Sequence, residues 1–130
     1  MRGRAVLMAI SAVLLAPCAA DAHHSFAAFF DPSKIVTVTG TVTRFAFTNP
    51  HGMIVLSVKS ANGATQEWRV ETNAPVVLMR RGWSRDVLKA GETITVDGWP
   101  SRDGKPWLRL RSAKRADGTP IGVPFGQSDV

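Results

Sequence analysis

From Lys34 onward the apolar residues recur at every second position, and that period limits what the chain can fold into more than any motif does. Val36, Val38, Gly40 and Val42 share one side of an extended segment, and Thr37, Thr39, Thr41 and Thr43 share the other. This is the pattern of a strand with one buried face. After Arg44 the parity changes to Phe45 and Phe47, which requires a bulge or sharp coil in a long first strand. Gly40 would ease that bend.

The same reading continues along the chain. Thr48-Asn49-Pro50 turns into a second strand with Ile54, Leu56 and Val58 inward, and Asn62-Gly63 is a strong hairpin signal. The third strand then has Trp68 and Val70 inward and Glu67, Arg69 and Glu71 outward. One short helical stretch follows, with Asn73 as its cap, Pro75 in the first turn and Gly82 at its end, the residue types that start and stop a helix. A capped turn at Ser84-Arg85-Asp86 precedes a fourth strand with Ile94 and Val96 inward, and Asp103-Gly104 opens a hairpin into a fifth. There Leu108 and Leu110 face in while Trp107, Arg109 and Arg111 face out. Three strands, a short helix and two more strands predict a mainly β fold, a small five-stranded OB-like barrel over residues 34–115. A two-sheet sandwich is the alternative, but it normally needs about seven strands. Residues 116–130, rich in Gly, Pro and Asp, are expected to form a loosely ordered tail.

The start of the chain has a different character. Arg2 and Arg4 precede an apolar run over residues 5–15 that is too short to span a bilayer, and Ala20-Asp21-Ala22 fits the small-x-small cleavage pattern of an export signal. Residues 1–22 are therefore expected to be removed, giving a periplasmic or secreted protein with no transmembrane segment and a single domain of 108 residues. The only cysteine, Cys18, leaves with the leader, so no disulfide can help and packing must supply the stability. Of 16 basic and 10 acidic residues, the leader takes Arg2, Arg4 and Asp21, and the remainder keeps a clear positive excess. In an exported protein that excess favours an envelope polymer, anionic lipid or periplasmic protein over nucleic acid.

All three histidines fall in two short motifs, His23-His24-Ser25-Phe26 and Asn49-Pro50-His51-Gly52. A cut after Ala22 makes His23 the first residue, with a free amine beside an imidazole. Those two nitrogens and a distant imidazole form a near-planar three-nitrogen array that favours Cu(II) over other divalent ions. The amine, with a reference pKa near 8, need lose only a labile proton. The candidate metal ligands are His23, His51 and, as an adjacent fourth nitrogen, His24. Residues 23–33 form an N-terminal arm long enough to fold back to the second strand. Phe26, Phe29 and Phe30, spaced three and four apart, could dock that arm along one apolar face. A cut after Ala20 gives the start Asp21-Ala22-His23 instead, whose own nitrogens bind Cu(II) or Ni(II) in a square plane without His51. A solvated, mobile terminus and a His51 bonded only to nearby backbone are the plain alternatives.

A second constellation is the tryptophans. Trp99 and Trp107 have outward parity and lie near Arg102, Lys105 and Arg109, so Trp99, Arg102, Trp107 and Arg109 could form a ligand-binding surface for a glycan or a partner protein. Packing against the tail or helix would account for the same residues. Arg80, Arg81 and Arg85 could hold an anion or simply suit a helix C-terminus. Catalysis has little support: no strand-turn-helix serine motif appears, and the carboxylates show no paired spacing. A non-catalytic binding protein is the expectation, with copper as the possible cofactor.

At several of these points the chain resembles a family of small exported bacterial proteins classed as a domain of unknown function. The resemblance rests on His23-His24-Ser25-Phe26, Val38-Thr39-Gly40-Thr41-Val42, Thr48-Asn49-Pro50-His51, Glu67-Trp68, Arg80-Arg81-Gly82-Trp83 and Gly91-Glu92-Thr93-Ile94-Thr95-Val96. It implies export and one compact β domain, and it carries no activity with it. Gly52 departs from the pattern, since such proteins often have a bulky residue after the Pro-His pair.

Overall fold

The computed structural model describes residues 26–130. The expected export signal, His23 and His24 lie outside the described residues. Five strands, β1 (Val36–Ala46), β2 (Met53–Lys59), β3 (Thr65–Glu71), β4 (Thr93–Pro100) and β5 (Trp107–Arg115), close into one barrel in the order β1-β2-β3-β5-β4. All pairings are antiparallel except β3 with β5. The six-residue helix α2 (Pro75–Arg80) lies between β3 and β4, so the OB-like succession read from the sequence is the one the chain adopts.

Strand β1 is long enough to pair with both β2 and β4, and its register shifts between Val42 and Arg44. The extra residue, Thr43, restores inward parity to Phe45 and Phe47, and this is the bulge that the parity change requires. Gly40 is needed at the tightest part of the coil, because a Cβ there would meet the Ser57 carbonyl oxygen at 2.8 Å. The core consists of the inward row of each strand, with Val42, Ile54, Leu56, Val70, Ile94, Val96, Leu108 and Leu110 all buried. Outside the barrel, Thr37 donates to Asp97 at 2.6 Å and the Thr39 and Thr95 hydroxyls meet at 2.8 Å.

Two local expectations need correction. Asn73 does not cap α2. The cap position is Ala74, which makes no side-chain bond, and Pro75 at the first helical position needs no N–H partner. Asn73 is buried instead and its amide is used elsewhere.

Residues 116–130 also differ from a loosely ordered tail. Lys114 bridges to Pro120, and Ile121 and Phe125 are buried in the main core. Arg81 donates to the Pro124 carbonyl at 3.0 Å, pairs with Asp129 at 2.6 Å and lies over the Phe125 ring. Ile121, Val123 and Phe125 recur at every second position, but Gly122 and Pro124 stand between them and Val123 is exposed, so the sequence signal is weak although the packing is not. Ile121→Val is expected to lower stability by about 0.5–1.5 kcal/mol in a denaturant titration. A tail resting on solvent would give no change.

Before the barrel, the short helix α1 (Phe26–Phe29) and Phe30 are held against the β4–β5 end. Phe26 meets Trp99 edge-on at 5.2 Å, Phe30 meets Trp107 edge-on at 6.0 Å, and the Phe30 backbone bridges to Ser101. Each aromatic pair contributes about 0.5–1.5 kcal/mol beyond area burial. Arg102 fastens the arm further, with Nε donating to the Ala27 carbonyl at 2.7 Å and its backbone N–H to the Phe29 carbonyl at 2.9 Å. No helix among the described residues is long and apolar enough to cross a membrane.

Candidate functional site

The strand register brings one outward row into line across the barrel wall. Met53 pairs with Glu71, Glu71 with Arg109, and Arg109 with Trp99. His51, two residues before Met53, continues that outward side into the β1–β2 loop. A charged pair separated by 38 residues is thereby set side by side.

Arg109 is the centre of this group. Its Nη1 donates to Glu71 Oε1 at 2.7 Å, and its Nη2 donates to Asn73 Oδ1. Asn73 in turn donates from Nδ2 to the Asp129 carbonyl at 2.8 Å, tying the C-terminal segment to the same group. Arg109 is only 6% exposed. Burial pushes its guanidinium below the ordinary value, and the Glu71 charge and hydrogen bond oppose that shift. The group stays a cation, since guanidinium does not give up its proton in proteins.

The same Glu71 oxygen lies 2.6 Å from His51 Nδ1. An ionised carboxylate can only accept, so Nδ1 carries the proton and donates it to Glu71. Arg109 Nη1 also approaches Nδ1 at 3.5 Å. Both atoms are donors, so that approach is a by-product of their shared acceptor rather than a bond. In the neutral imidazole a proton on Nδ1 leaves the lone pair on Nε2, and the side chain is 39% exposed. A carboxylate behind one ring nitrogen and an open lone pair on the other is the arrangement that orients a metal-binding imidazole.

His51, Glu71 and Arg109 line a cleft of about 740 Å³. Pro50 and His51 border it from the β1–β2 loop, Ser101, Arg102 and Asp103 from the β4–β5 loop, and Phe26, Phe29 and Phe30 from the arm. Asp103 is consumed by its own turn. It accepts from the Ser101 hydroxyl at 2.6 Å and the Lys105 backbone N–H at 3.1 Å, and these bonds with Lys105 Nζ hold its carboxyl at about 2.

Not every residue singled out in the sequence belongs here. His51, Arg102, Trp107 and Arg109 line the cleft, while Trp99 is 2% exposed beneath Phe26. Trp99 and Arg109 keep the outward parity read from the sequence, but the arm and the C-terminal segment cover that side of the barrel. The expectation of an open Trp99 and Arg109 surface is therefore corrected. Glu71 and Asn73 are the residues that sequence reasoning passed over; an outward glutamate reveals its role only once β5 is known to lie beside β3. The described residues hold no group of three or more His, Cys, Asp or Glu able to grip a metal.

A family model described as a family of unknown function, DUF6152, matches residues 11–109. The chain belongs to this family. No curated protein matches it. The matched span of this DUF6152 member contains both histidine motifs, the whole of β1 to β4 and the start of β5 through Arg109.

Gly52 of this DUF6152 chain is fixed by close approach. A Cβ there would meet Thr72 Oγ1 at 2.5 Å and the Ala46 carbonyl oxygen at 2.8 Å. Gly52→Ala is expected to cost about 1–3 kcal/mol by overpacking and to displace His51. Loss of the His51 Nδ1–Glu71 bond in the nuclear magnetic resonance spectrum would record that displacement, and an unchanged spectrum would contradict it.

Proposed function

We propose that the processed protein is an exported, non-catalytic binder of Cu(II), held by the His23 amine and imidazole together with His51 Nε2, with His24 as an adjacent fourth nitrogen. The observation that carries the reading is that Phe26 lines the same cleft as His51. His23 lies only three positions before Phe26, a reach of up to roughly 10 Å. The arm is fastened at Phe26, Phe30 and Arg102 on the side of the barrel where His51 offers its free nitrogen. Holding the arm at these points limits the chain entropy that metal binding has to overcome.

The chemistry of the donors favours this ion. An amine and two imidazoles in one plane suit Cu(II), and binding releases one proton from the amine near neutral pH. Glu71 fixes the His51 tautomer and ring orientation. Holding, transferring or sensing copper in the periplasm is the role that follows.

The test is a Cu(II) titration of three proteins: the chain beginning at His23, the same chain with one extra N-terminal residue, and His51→Ala. The proposal expects marked weakening in both altered proteins. Binding indifferent to His51 would assign the copper to an Asp21-Ala22-His23 start. Weak, nonspecific binding in all three would remove the metal and leave an interaction module.

A further inference from the structure

The cleft is much larger than a metal ion requires. Its volume of about 740 Å³ lies in the range of sites for drug-sized molecules. It opens between the β1–β2 and β4–β5 loops, where barrels of this type take their ligands. Phe26, Phe29, Phe30 and Trp107 give it an aromatic lining. Phe29 is 58% exposed, a large ring facing water on the wall of a concavity.

The charges around the cleft are unevenly matched. Glu71 is occupied by Arg109 and His51, and Asp103 by Ser101 and Lys105. Arg102 spends Nε on the Ala27 carbonyl, and among the described residues no carboxylate pairs with it. Its two terminal nitrogens remain as a planar fork suited to a carboxylate. A guanidinium fork with no carboxylate paired to it among the described residues, beside aromatic walls, complements a molecule with the opposite charge and a flat apolar body.

We propose that the cleft binds a small organic anion, an aromatic carboxylate, with its ring against Phe29 and Trp107 and its carboxylate on Arg102. This site does not depend on copper, because neither the aromatic walls nor the Arg102 fork includes a metal ligand. An organic cation of the same shape would meet Arg102 unfavourably, and a neutral analogue would gain only the stacking.

The experiment uses the processed chain in excess chelator, with 2-naphthoate, 2-naphthol and 2-naphthylmethylammonium followed by calorimetry. Naphthoate is expected to bind about tenfold or more tighter than the ammonium. Arg102→Gln should bring naphthoate down to the level of naphthol, and Phe29→Ala should weaken all three ligands. Arg102→Lys separates charge from arm fastening, since it keeps the cation but loses the Nε bond to Ala27; it should retain a preference for naphthoate. Equal affinity for the three ligands, a naphthoate Kd weaker than about 1 mM, or a Lys variant as impaired as the Gln variant would overturn the proposal. Because metal is absent throughout, naphthoate binding by a protein that fails the copper titration would remove the copper reading alone, and the reverse result would remove only this one.

Discussion

Arg109→Ala is expected to lower the unfolding free energy by about 3–5 kcal/mol, the cost of breaking a buried ion pair from one side. The side chains of Arg109 and Glu71 are 7% and 17% exposed, so water can do little to replace the lost partner. Removing the guanidinium leaves the Glu71 carboxylate with the His51 Nδ1–H as its one remaining side-chain partner and strands the Asn73 side-chain oxygen Oδ1, and an under-satisfied buried polar group carries its own desolvation cost. Water reaching Glu71 along the cleft sets the result toward the lower end of that range. Equilibrium denaturation measures it directly. Adding Glu71→Gln to the Arg109→Ala background should recover part of the loss, because the stranded charge is then gone. A single-variant loss under about 1 kcal/mol would mean that the pair is screened as surface pairs are.

The second large effect concerns copper. His51→Ala is expected to weaken Cu(II) binding by at least about 100-fold, since changes to the partners behind a ligand already cost 10–100-fold and here the proposed ligand itself is lost. Glu71→Gln should fall within that smaller range. A glutamine can accept from Nδ1 through its carbonyl or donate to it through its amide, and the second option moves the proton to Nε2 and blocks the metal. Nitrogen chemical shifts of His51 distinguish the two tautomers before any metal is added. Intact copper affinity in Glu71→Gln, together with an unchanged tautomer, would show that the carboxylate does not position the ring.

Much of the barrel could be read in the sequence because a closed five-stranded sheet repeats one simple rule. The Val and Thr alternation of β1, the parity change before Phe45 and the Asn62-Gly63 turn each depend on neighbours in the chain. The site was less legible because it depends on neighbours in space. Glu71 meets Arg109 only through the parallel β3–β5 pairing, which joins strands separated by a helix and another strand. Outward parity at Trp99 and Arg109 was correct as a statement about the pleat, yet exposure also depends on what lies over the sheet. There the arm covers Trp99 and the Asn73–Asp129 link closes over Arg109. Asn73 illustrates the same limit, since a helix-capping residue type next to a helix was recruited by a distant guanidinium instead.

The central claim is that one Cu(II) ion joins the mature N-terminal amine to His51 Nε2. Pulsed electron paramagnetic resonance of the protein loaded with one equivalent of Cu(II) tests it most directly, because the remote nitrogen of each coordinated imidazole modulates the signal. The account predicts a modulation from His51 Nδ1 that disappears in His51→Ala, with the remaining imidazole modulation retained. A spectrum identical in the two proteins would contradict it.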